Sequence, residues 1–189
     1  ELYQLLKDLG ARIETGAAPS ATALILVAPL GLDVTTLAAV ERLDATRTMG
    51  IDMMLDDAST KRRVLATNPA TRADIRDAAH ALFASDGKAV SVVRDSGGFV
   101  TQRVVATIVN IAADMCQQGI CSPADLDIAV TLGLGYPAGP LALGDRIGPT
   151  NLLEILFNQA FLKFRNREHC NGMRMIVEWK SKLFWQIRW

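Results

Sequence analysis

Residues 95–148 read DSGGFVTQRVVATIVNIAADMCQQGICSPADLDIAVTLGLGYPAGPLALGDRIG, and this stretch carries the densest local signals in the chain. A Gly-Gly pair opens a long apolar segment over 98–118, with Phe99, Val100, Val104, Val105, Ile108, Ile111, Ala112 and Met115 at helical spacing. That apolar face is wider than a surface helix needs, so the spacing predicts a helix covered on two sides. Ser122 then offers an N-cap, Pro123 a first-turn proline and Asp125 a first-turn acid, which predicts a second helix running to Gly133 as its C-cap. Tyr136 to Pro140 reads as a rigid turn, 141–147 as a third helix closed by a glycine, and Pro149 as the start of a fourth. Everything after Asp95 is therefore expected to be helical, with the short connections of a bundle.

The preceding residues have a different period. Residues 2–9 place Leu2, Leu5, Leu6 and Leu9 on one helical face, with Gly10 as a C-cap. Ala11 to Glu14 reads as a short strand. The apolar, partly β-branched run 22–28 stops at Pro29 and suits a strand buried on both faces. Asp33 caps a helix beginning at Val34. Strands follow at 46–55 and 63–67, an amphipathic helix at 70–84, and a last strand after the Asp86-Gly87 turn. Alternation of strand and helix predicts an open α/β layer, and crossovers of this length favour parallel strands. The organisation is thus 1–94 as an α/β segment, 95–160 as a helical domain, and 161–189 as an unassigned tail richer in Arg, Lys and Trp.

Composition limits the function classes. Twenty basic and twenty acidic residues among 189 leave no net charge to attract nucleic acid or an anionic membrane. No apolar run approaches the roughly 20 residues that span a bilayer. Three cysteines, Cys116, Cys121 and Cys170, are too few for a disulfide framework and fit a reduced, cytoplasmic setting. The chain starts Glu-Leu-Tyr-Gln, without an initiator methionine or a signal peptide, and reads as a fragment or processed piece.

The sequence offers little for chemistry. Gly10 and Gly16 are too far apart for the G-x-G-x-x-G turn, and no G-x-x-x-x-G-K-[ST] occurs, so neither phosphate-binding device is available to hold a nucleotide. His80 and His169 lack the spacing of a zinc site, and no metal is expected. Cys116 and Cys121 are spaced wrongly for a C-x-x-C pair and read as small buried residues. Asp145 can cap a turn, but no histidine or second carboxylate stands near it in sequence to make it a base. Gly133, Gly135, Gly139 and Pro140 are turn-makers that let helices approach closely.

The order D-x-x-G-F-x-x-x-R from Asp95 to Arg103, then S-x-x-D-x-D at 122–127, then G-Y-P-x-G-P at 135–140 and D-x-x-G at 145–148, resembles the C-terminal helical domain of 3-hydroxyacyl-CoA dehydrogenases. The likeness covers about residues 88–157; the tail lies outside it. Residues 20–90 resemble the reduced, fingerprint-less Rossmann-like segment that precedes a second copy of that domain in long bacterial members, such as those of phenylacetate catabolism. The resemblance implies an oxidoreductase that uses NAD to turn a 3-hydroxyacyl-CoA into a 3-oxoacyl-CoA. In that chemistry a histidine base takes the hydroxyl proton and a hydride passes to the nicotinamide. Separately, the two-sided apolar face of 98–118, in a bundle with little interior to cover both sides, predicts a homodimer.

Gln102 stands where the family has an asparagine at the substrate site, which makes it a substrate-binding candidate. A polar junction between layers explains Gln102 and Arg103 as well. The family's catalytic His–Glu pair and serine have no identifiable counterpart, so no catalytic residue, and no NAD site, is expected in this chain. Its part would then be dimerisation and acyl-pocket shaping; the alternatives are a non-catalytic oligomerisation module or a regulatory acyl-CoA binder. Outside the tail, no basic cluster is assigned to the CoA phosphates.

Overall fold

A computed structural model describes residues 1–15, 19–55 and 60–165, with side chains placed through 160. His169, Cys170 and most of the 161–189 tail lie outside the described residues. The chain forms two compact units, one spanning Glu1–Phe99 and one beginning at Val100.

The first unit is built on a four-stranded sheet ordered β1-β2-β3-β4: Ile25–Val27, Thr48–Ile51, Arg62–Thr67 and Ala89–Arg94. Helices α1 (Leu2–Asp8), α2 (Val34–Val40) and α3 (Ala73–Ala84) pack on it. The two helical crossovers give the expected parallel pairs, β1 with β2 and β3 with β4. The pair β2–β3 is antiparallel. The reason is the connection 52–61, which is shorter than the dozen or so residues a parallel crossover requires. Strand β1 is shorter than the run 22–28 suggested and only half-buried, because it lies at the sheet edge. Ala11 to Glu14 joins no ladder. Instead Glu14 accepts hydrogen bonds from the Ser20 amide and hydroxyl, both at 2.7 Å, and closes a loop.

Period-2 alternation decides what each sheet face carries. Met49, Ile51 and Leu65 point to one face, where they meet Ile75, Ala79 and Phe83 of α3 and the leucines of α1. On the other face Ala66 meets Val34 of α2 and Phe99. Gly50 lies beneath these two; a Cβ there would stand 2.5 Å from Val34 Cγ2 and 3.1 Å from the Phe99 ring. Two buried polar side chains in this unit, Arg63 and Asn68, bridge distant segments. Arg63 reaches the Phe83 carbonyl at 2.7 Å and grips both oxygens of Asp86 at 2.8 Å. The amide of Asn68 donates to the carbonyls of Ala45 and Thr48 at 2.8 and 2.9 Å.

The second unit is helical, as expected: α4 (Thr101–Gln117), α5 (Pro123–Leu134), α6 (Pro140–Ile147) and α7 (Pro149–Arg165). Ser122 caps α5, accepting from the Asp125 amide at 3.2 Å. Gly133 does not end α5. The helix runs one residue further, and Gly135 takes the left-handed C-cap conformation at φ 67°. Gly144 lets α4 and α6 come close: a Cβ there would lie 2.8 Å from Val109 Cγ1.

Candidate functional site

The residues that carry the sequence pattern occupy two separate places, one in each unit. In the first unit, Asp95 follows β4 and spans the start of α2. Its carboxylate accepts from the amides of Val34 and Thr35 at 2.7 Å, and from the Thr35 hydroxyl. Asp33 adds the ordinary N-cap bond to the Thr36 amide at 2.6 Å. Two carboxylates therefore occupy the amides at this helix start. Gly98 (φ 74°) and Phe99 (φ 45°) then turn the chain through left-handed backbone. Such a conformation is uncommon for a phenylalanine and is held here by the burial of its ring, which is 3% exposed.

In the second unit the centre is Asp127. From α5 it accepts hydrogen bonds from the amides of Leu141 (2.9 Å) and Ala142 (3.0 Å), the unsatisfied donors in the first turn of α6. Pro140 needs no such partner, having no N–H. Gly139 is required beside it, because a Cβ would fall 2.2 Å from the Asp127 carboxyl carbon. The S-x-x-D-x-D and G-Y-P-x-G-P patterns are thus one structural node: an aspartate on one helix caps the next across a turn shaped to admit it. The sequence reading missed this role of Asp127. The spacing of an acid before a Gly-Pro helix start was the available signal.

Gln102 lies in the first turn of α4 and is 1% exposed, on the buried face with Ala106, Val109 and Ala112. Asp145 is exposed on α6, and His80 is exposed on α3. Cys116 and Cys121 are free and half-buried, and burial, followed by the neighbouring Cys121, pushes the Cys116 thiol up from its ordinary pKa. Among the described residues, no group of three or more histidine, cysteine or acidic side chains is placed to hold a metal. No helix among them is long and apolar enough to cross a membrane.

Helix α4 has a second apolar face. At about 100° per residue, Val104 and Ile111 point roughly opposite to the buried set, and they are 49% and 54% exposed. Ile120 follows, and α5 adds Ile128, Leu132 and Leu134, all exposed, with Leu132 at 81%. Of α5, only Leu126 is buried. Within the unit, the cleft between α4 and α7 encloses about 60 Å³ beside Val109, Leu152 and Leu156. That is about two water volumes.

Comparison with known proteins follows the same division. Residues 98–182 match the model of the 3-hydroxyacyl-CoA dehydrogenase C-terminal domain, so the match continues well into the stretch that composition set apart as a tail. The chain is 43% identical over 72 residues to the 3-hydroxyadipyl-CoA dehydrogenase of Escherichia coli, covering 38% of this chain and 15% of that one. It is 37% identical over 94 residues to a probable 3-hydroxybutyryl-CoA dehydrogenase of Bacillus subtilis, covering 50% of this chain and 31% of the relative. Among solved structures, (S)-3-hydroxybutyryl-CoA dehydrogenase from Ralstonia eutropha is similar at 26% identity and a TM-score of 0.67, over 86% of this chain and 56% of that chain. The 3-hydroxybutyryl-CoA dehydrogenase of Escherichia coli gives 28% identity and a TM-score of 0.64, over 84% and 32%. The chain therefore spans less than a third of the two curated relatives named above, while the structural likeness takes in both of its units.

Proposed function

We propose, from the premise that residues 98–182 belong to the C-terminal domain family of the 3-hydroxyacyl-CoA dehydrogenases, that this chain works as part of an NAD-dependent enzyme oxidising 3-hydroxyacyl-CoA to 3-oxoacyl-CoA. Within it, the helical unit supplies a self-association surface and a wall of the acyl pocket. The chemistry belongs to parts of the enzyme other than the residues described above.

The observation that carries the self-association reading is the set of exposed apolar side chains on α4 and α5, among them Val104, Ile111, Ile128 and Leu132. A helix apolar on all sides, as α5 nearly is, belongs in an interior. Here Ile128, Leu132 and Leu134 of α5 stand exposed to solvent. A second copy of the same face would cover them isologously, and interfaces of this kind are more apolar at their centres than ordinary surface. The test is a charge placed on the face. Ile111→Glu with Leu132→Glu is expected to convert a dimer into a monomer by light scattering while leaving the melting temperature of the helices nearly unchanged. An unchanged mass would remove the reading.

NAD does not fit the residues that would have to hold it. In an open α/β layer the pyrophosphate sits at the start of the helix that follows the first strand, against free amides. At α2 those amides are already bonded to Asp33 and Asp95, so a pyrophosphate would meet two carboxylates. Gln102, buried in the first turn of α4, is the substrate-binding candidate of this unit.

A further inference from the structure

The first unit contains a groove of about 390 Å³ at the end of the sheet where β3 and β4 both finish. Thr67, the last residue of β3, and Arg94, the last residue of β4, are register partners at its floor. Arg76, Asp77 and His80 of α3 form the wall. Arg76 and His80 are one helical turn apart and so share a face. The carboxyl ends of parallel strands are where open α/β layers leave a crevice for ligands.

Charge decides the ligand class. Two guanidiniums and an imidazole face one acid, so the groove is net positive in either protonation state of His80. Asp77 takes part of Arg76, with Nε at 2.9 Å and Nη2 at 2.8 Å from the same carboxylate oxygen. A guanidinium has five N–H donors in a fixed fork, so Arg76 keeps others to offer. The Thr67 hydroxyl makes only a long 3.5 Å bond to the Val93 carbonyl and can turn toward a ligand. Cations on two sides and a hydroxyl on a third suit a tetrahedral oxyanion better than a planar carboxylate. Val92, on the same sheet face as Arg94, gives an apolar contact for the group such an anion is attached to.

We propose that this groove binds the phosphate of a phosphorylated small molecule, with Arg76 and Arg94 on its oxygens and His80 and Thr67 completing the shell. The two guanidiniums and the imidazole lie at 76, 94 and 80, spread over a helix and a strand, so no run in the linear sequence marks them. The inference is independent of the self-association reading, because it rests on the first unit alone. One phosphate chemistry has two sources here, the 3′-phosphate of CoA and a free phosphate or nucleotide.

The test titrates the whole chain with inorganic phosphate, CoA and dephospho-CoA at constant ionic strength, following amide shifts. The expected result is saturable shifts confined to 67, 76–80 and 92–94. Loss of a charge-assisted contact should weaken binding about tenfold or more in Arg94→Gln and Arg76→Gln. Arg62→Gln removes the same charge at the far end of β3, where Arg62 donates to the Ser91 hydroxyl at 2.9 Å, and should leave binding unaltered. CoA binding more tightly than dephospho-CoA supports the site with CoA as the source. Equal binding of those two, alongside saturable inorganic phosphate, supports it with free phosphate or a nucleotide as the source. Shifts that do not saturate, or equal losses in the Arg62 and Arg94 variants, overturn the site. Thermal melts of each variant separate lost binding from lost folding.

Discussion

Single residues explain why the diagnostic pattern looks as it does. Asp95 fastens α2 to the end of β4, Phe99 fills the space over Gly50, and Asp127 caps α6 past Gly139. Each is a packing or capping role that fixes a residue type as firmly as catalysis would. Gly50→Ala should cost about 1–3 kcal/mol, the usual range for overpacking a filled core, because Val34 and Phe99 must both give way; a chemical denaturation midpoint reads it directly. Acid stability should report Asp86. The Arg63 guanidinium, bonded to its carboxylate, holds Asp86 at about 2 against an ordinary 3.8. A depressed carboxyl contributes stability that is fully present above its unfolded pKa and lost as pH falls through its folded one. The first unit should therefore lose stability between about pH 4 and pH 2. Asp86→Asn should flatten its share of that loss, leaving the part due to Asp44, which is likewise held at about 2 by Thr46 and Arg47. An identical acid profile in the variant would deny the ion pair this role.

At the scale of elements, what was legible in the sequence was what local chemistry controls. Asp33 and Ser122 cap the helices they were expected to cap, and the apolar spacing over 70–84 and 98–118 placed α3 and α4, each of which starts three residues later than expected. What was not legible depends on partners distant in sequence. The antiparallel β2–β3 pair follows from a missing crossover, the end of α5 from which of two glycines turns left-handed, and the Asp127 cap from a helix that starts thirteen residues later. The groove of Arg76, His80 and Arg94 was invisible for the same reason. The α5–α6 node yields its own prediction. Asp127→Ala should cost about 0.5–2 kcal/mol, the usual worth of a helix cap. Gly139→Ala should cost at least as much, because its new methyl displaces the same carboxylate. Combining the two should cost less than their sum, since both break one interaction. Additive losses in a double-mutant cycle would contradict a shared node.

At the scale of the whole molecule, the two units divide the work of identification. The helical unit carries the family match; the α/β unit carries the sheet without the glycine turn, and its α2 start is filled with carboxylates. The chain alone should therefore give no turnover: neither NADH consumption with acetoacetyl-CoA nor NADH formation with 3-hydroxybutyryl-CoA. Measurable rates would show that catalytic groups are present after all. Helices α4 and α5 expose apolar side chains, Leu132 most of all, and the central claim is that a second copy covers them. Sedimentation equilibrium of the unaltered chain tests this most directly. The account predicts a mass of twice 20.5 kDa at micromolar concentration, insensitive to salt because the contact is apolar. A single 20.5 kDa species persisting to high concentration would contradict it.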